Sequence, residues 1–172
     1  MKELLKKLII IISIVAILVI GYGVDYAISK TYSLDFVSVN RVEDTPLLNT
    51  DGTPIPKDVG ITDGSTNVRF LIKLTHKNKA VSGHVLYIKT NRNVVGRMIT
   101  DYNGFVEFDY RCYLSSTASD VEFNVQDENN SIFIFVPTEG NYTLKMMAPI
   151  SDNPSNMTTN DVFYDIDEDN HD

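Results

Sequence analysis

Four kinds of side chain in this 172-residue chain could carry chemistry: the histidines His76, His84 and His171, the single Cys112, a carboxylate run at Asp165, Asp167 and Asp169, and the tyrosines. His76 and His84 flank one predicted turn, Lys77 to Gly83, and could approach each other across it. With a nearby carboxylate, such a pair could hold a metal. Neither His-x-His nor His-Glu-x-x-His wording accompanies them, and two histidines at loop edges are the plainer reading. Cys112 shares a strand face with Phe108 and Tyr110, so it reads as a small core side chain rather than a nucleophile. Asp165-x-Asp167-x-Asp169 begins like a calcium loop, but Asn170 stands where the turn glycine is needed. No Gly-x-Ser-x-Gly, P-loop or Gly-x-Gly-x-x-Gly wording occurs. The expectation is a protein that is not an enzyme, with no catalytic residue, cofactor or metal.

The tyrosines offer a different chemistry, because exposed aromatic rings can stack against sugars. Tyr102, at a turn, and Tyr113, on the face opposite Cys112, are the candidate ligand contacts. Against them stand the absence of Trp and of any row of exposed rings, which favours core and edge packing for the tyrosines as a group.

Charge narrows the partners. Fifteen Lys and Arg against 23 Asp and Glu give a net charge of −8, with no basic block. That argues against nucleic acid, whose binding rests on neutralising phosphates. One cysteine excludes an intramolecular disulfide and any Cys-rich zinc site. The Ile-, Asn- and Lys-rich wording points to an AT-rich bacterial or phage genome.

The element that places the chain is at its start. Residues 1–7 carry 3 Lys and 1 Glu, a flank of +2, and Leu8 to Val24 carries no charge. As a helix that run is about 25 Å long, and Tyr26 to Ile28 extend it toward the ~30 Å of a hydrocarbon core. Residues 8–28 therefore read as a transmembrane helix or signal anchor. From Asp25 onward 12 basic and 22 acidic residues give −10, so the positive-inside rule leaves the N-terminal flank in the cytoplasm and exports the rest. A cleaved signal peptide is the competing reading, with Ala27-Ile28-Ser29 as its cleavage site. Both place residues 31–172 outside.

Beyond Thr31 the apolar period becomes two. Val68, Phe70, Ile72 and Leu74 alternate with polar residues, as do Val106 to Cys112, Val121 to Val125 and Tyr142 to Met146. Each predicts a half-buried strand. Leu34 to Val39, Val85 to Lys89 and Ile132 to Val136 are further candidates. Tyr102-Asn103-Gly104 carries an Asn-Gly hairpin signal. Seven or eight short strands and no helical periodicity predict an antiparallel β-sandwich over residues 29–150. Residues 41–67, rich in Pro and Gly, read as a long loop with a small hairpin near Asp51-Gly52. Residues 151–172 hold seven acidic residues and no Lys or Arg, and read as a disordered tail.

One stretch is familiar. Lys79-Ala80-Val81-Ser82-Gly83 precedes a strand, then Thr100-Asp101-Tyr102-Asn103-Gly104-Phe105-Val106-Glu107-Phe108 follows. This order resembles the bacterial Ig-like modules of invasin- and intimin-type surface proteins, whose pattern runs G-x-P-V-x-G, then T-D-x-x-G-x-V-x-F. Ala80 stands near the place of the pattern's Pro. Glu139-Gly140-Asn141-Tyr142-Thr143-Leu144 is similar to a late strand of such sandwiches. The resemblance spans about residues 65–147 and implies a fold, an all-β Ig-like sandwich with Asp101, Asn103 and Gly104 as its signature turn. Three function classes remain: a membrane-anchored module binding another envelope or surface protein, a glycan- or wall-binding module, and a small metal-dependent enzyme at His76 and His84.

Overall fold

The structure is a computed structural model that describes residues 2–91, 93–114, 119–129 and 136–149. The predicted strand at Ile132 to Val136, the carboxylate run and the acidic tail lie outside the described residues, save Val136, which sits in a bend.

Lys2–Ser29 forms α1, a 28-residue helix. Its stretch Glu3–Ser29 is long and apolar enough to cross a membrane. Ile10, Ile17 and Ile20 stand about 60% exposed on it, so it is a helix without a protein core of its own. Ser13, in the middle of the apolar run, donates its hydroxyl to the carbonyl of Ile9, at 2.9 Å, and so adds no unpaired polar group.

Nine strands follow among the described residues: β1 (Tyr32–Val42), β2 (Val59–Ile61), β3 (Asn67–His76), β4 (Lys79–Ala80), β5 (Val85–Thr90), β6 (Asn93–Ile99), β7 (Phe105–Arg111), β8 (Val121–Asp127) and β9 (Thr138–Met147). They make two sheets. One runs β1-β3-β4, with β7 also paired to β3, and the other runs β2-β9-β8-β5-β6. The expected all-β, sandwich-like architecture behind one apolar helix is what the chain adopts.

The chain divides into two compact units. The first comprises Met1–Ser38, Phe70–Phe108 and Glu122–Thr143. Inside it the two sheets face each other across an aromatic core. The ring of Phe70 on β3 lies 4.7 Å from Phe123 on β8, and Phe36 on β1 lies 5.2 Å from Tyr142 on β9. Ile72, Leu74, Leu86, Ile88 and Val125 complete it with no exposed surface. The alternation expected of β3 and β8, and present also in β5, is what turns these residues inward.

The second unit comprises Val39–Arg69, Asp109–Val121 and Leu144–Asp172. It contains the stretch expected as a long loop, which is more ordered than that. Leu48 bridges Pro54 around the positive-φ Gly52, giving the small hairpin. Beyond it, β2 runs parallel to β9, with Gly60 opposite Met146. Ile55, Val59 and Ile61 bury themselves with Leu47 and Met147 as a small core. Arg41 holds this segment. Its guanidinium is buried and donates to the carbonyls of Pro56, Val59 and Ile55 at 2.9, 2.7 and 3.3 Å, and pairs with Glu43 at 2.7 Å. A buried charge is tolerable only when its hydrogen bonds are met in this way.

Candidate functional site

The turn at Asp101 does not close a hairpin. It carries the chain from β6 in one sheet to β7 in the other. An Asn-Gly hairpin turn needs positive φ at both central residues, but only Gly104 (φ 77°) has it here, and Asn103 does not. Asp101 makes the turn instead. Its Oδ1 accepts the backbone N–H of Asn103 and of Phe105 at 2.8 and 2.7 Å. Gly104 packs so tightly that a Cβ would lie 2.5 Å from the Leu74 carbonyl oxygen. Tyr102 stands at the tip, 85% exposed.

Tyr113 is also exposed, at 65%, with its ring edge-on to Tyr110 at 6.0 Å. Both candidate tyrosines therefore face solvent. Each is in a different unit of the chain, so each is a separate feature. Cys112 beside Tyr113 is fully buried. Burial, and then the charge of Asp63, push its thiol up to about 11, which leaves almost no thiolate near neutral pH.

The histidines are brought together through a third ring. His76 stacks on Tyr32 at 4.4 Å, and His84 meets the same ring at 6.1 Å. His84 Nδ1 lies 2.8 Å from Oδ2 of Asp127, a carboxylate with no exposed surface whose Oδ1 accepts the Asn129 N–H at 3.0 Å. A buried aspartate orienting a histidine is half of a general-base arrangement. The other half, a hydroxyl or thiol bonded to the imidazole, does not occur among the described residues. No group of three or more His, Cys, Asp or Glu comes together there either. The pair ties the start of β5 to the end of β8, where Leu86 registers with Asp127. Sequence spacing missed Asp127 because the pairing is across strands, 43 residues apart.

A feature that no motif announced lies on the outward face of the β5–β8–β9 sheet, a groove of about 810 Å³. Phe123 and Val125 point inward on β8, so Glu122, Asn124 and Gln126 point out. Register sets Tyr87 and Lys89 of β5 beside Gln126 and Asn124. Across the sheet, Gln126 donates to Glu139 at 2.7 Å and Asn124 donates to Asn141 at 2.9 Å. Lys89 closes the ladder onto the Gln126 side-chain oxygen. On the far side the Arg97 guanidinium of β6 sits 5.8 Å over the Tyr87 ring. The only available signal was the polar half of the strand alternation, which reads as solvated surface in one strand at a time.

No family model, no curated protein and no solved structure matches this chain.

Proposed function

We propose that this chain is an uncleaved single-pass membrane protein that holds an Ig-like sandwich outside a bacterial or phage-related envelope as a non-catalytic protein-binding module. The observation that carries the reading is the junction between helix and sandwich. Only Lys30 and Thr31 separate α1 from β1. Asp25, inside the helix, is fully buried. The carbonyl of Ser29 accepts the Thr138 hydroxyl at 3.3 Å, and the carbonyl of Thr31 accepts the Lys77 N–H at 3.0 Å. The Ser29 carbonyl, at the end of the alternative cleavage segment Ala27-Ile28-Ser29, is thus bonded to the sandwich, which supports retention of the helix. Tyr22 and Tyr26 stack at 6.5 Å, with the Lys30 ammonium 5.2 Å over Tyr26, a suitable interfacial belt.

The strand order supports the finer fold. Immunoglobulin sandwiches set A-B-E against G-F-C, with an added C′ beside C in variable types. Taken in chain order, β1-β3-β7 and β9-β8-β5-β6 fit that scheme. The contact surface we favour is β6, an edge strand in its sheet. Val94 and Ile99 on it are 55% and 66% exposed. Natural edges are usually blunted with charge or proline, and an open one can accept a partner strand. Purification of the tagged full-length protein in mild detergent tests this. A stoichiometric envelope companion that is lost on Val94→Lys/Ile99→Lys supports the reading. A companion retained by that folded variant, or none at all, overturns it.

A further inference from the structure

We propose that the outward face of β5, β8 and β9 is a binding site for a neutral polyhydroxylated chain, a glycan strand. The site goes beyond the protein-binding reading above and does not depend on it. Its chemistry is that of side-chain amides. Asn91, Asn124, Gln126 and Asn141 all line the groove, and each amide offers both donors and an acceptor. A hydroxyl is likewise donor and acceptor, so amides suit it where a lone charge does not.

The ladder also sets the amides in place. Asn124 spends one N–H on Asn141, and Gln126 spends one on Glu139. That pair leaves the Asn124 carbonyl oxygen and the Asn141 NH₂ for a ligand, on neighbouring strands about 4.8 Å apart. Side chains already fixed by one another lose little entropy on binding.

Charge selects against ionic ligands. Lys89 is engaged by Gln126, Glu139 by two amides, and Arg97 by the Tyr87 ring. Of the charged side chains that line the groove, Glu122 would oppose an anion and Lys89 would oppose a cation. Most pockets of this volume are chiefly apolar. This one is bordered mostly by amides, a threonine and charged side chains beside Phe123 and Tyr142, so a purely apolar molecule would leave those polar groups unmet.

Full-length protein in detergent is titrated with the neutral oligosaccharides chitohexaose, cellohexaose and maltohexaose, and with peptide-free peptidoglycan strands, whose muramic acid carboxylates make them the acidic comparison. At least one neutral oligosaccharide binds the wild type below 1 mM, and Asn141→Ala weakens it about tenfold, the worth of a well-placed hydrogen bond. The isosteric Asn141→Asp weakens it likewise and guards against a misfolded alanine variant. Tyr102→Ala, outside the face, leaves binding unchanged. Binding to none of these probes, binding only to acidic polymers, binding unaffected by both Asn141 variants, or loss on Tyr102→Ala overturns the proposal.

Discussion

At the scale of single residues, Gly104 and Cys112 give opposite kinds of prediction. Gly104 combines φ of 77° with a Cβ position 2.5 Å from backbone oxygen, and neither neighbour is a flexible side chain that can yield. Gly104→Ala is expected to cost about 3 kcal/mol, read as a shift in the denaturant midpoint with unchanged slope. Asn103→Ala, which leaves the Asp101 hydrogen bonds to backbone intact, is expected to cost far less. Cys112 is chemically quiet because its thiol is buried and its pKa is raised to about 11. Intact-mass measurement after iodoacetamide near pH 8 should show no adduct in the folded protein and one adduct in denaturant. The alternation of Phe108, Tyr110 and Cys112 was enough to assign that burial from sequence.

At the scale of elements, the sandwich was legible wherever one face is dry, as in β3, β7, β8 and β9. β6 was not, because Val94-Val95-Gly96 breaks the alternation. The physical reason is a register shift opposite Ile88 and Lys89, together with Phe108 occupying the space a side chain at position 96 would need. β2 was hidden by its three-residue length and by prolines at 54 and 56. What organises that segment is Arg41, whose carbonyl partners lie 14 to 18 residues away and leave no local signature. Arg41→Ala is expected to cost about 3–5 kcal/mol by chemical denaturation, since it strands three carbonyls and Glu43. The outward polar face was legible only as wet strand positions; its assembly into one ladder required the register.

The same elements are tied by carboxylates that stay ionised. Asp109 is held below the usual range by the bidentate hydrogen bond from Arg69 across β3 and β7. For Asp63, burial alone would raise the pKa, but hydrogen bonds from the backbone and hydroxyls of Thr66 and Ser65 outweigh it and lower it. A folded-state pKa below the unfolded one contributes stability above the unfolded value of about 3.9. That contribution is lost as pH falls through the folded value. Thermal melts should therefore hold steady from pH 7 to about 5 and fall below about 4, and Asp63→Asn should flatten that fall.

At the scale of the whole molecule, the proposed function requires that α1 stay on the mature protein. The helix is exposed and apolar from Leu8 to Ile20, and its last turn is bonded into the sandwich. A domain carrying −10 from Asp25 onward is repelled by an anionic membrane surface, which favours display away from it. The most direct test is intact-mass and N-terminal analysis of the protein recovered from its own cells after membrane fractionation. An uncleaved anchor predicts a chain in the membrane fraction that retains residues 2–29, released by detergent and not by high salt. A mature chain beginning near Lys30, found in the soluble extracytoplasmic fraction, would contradict it.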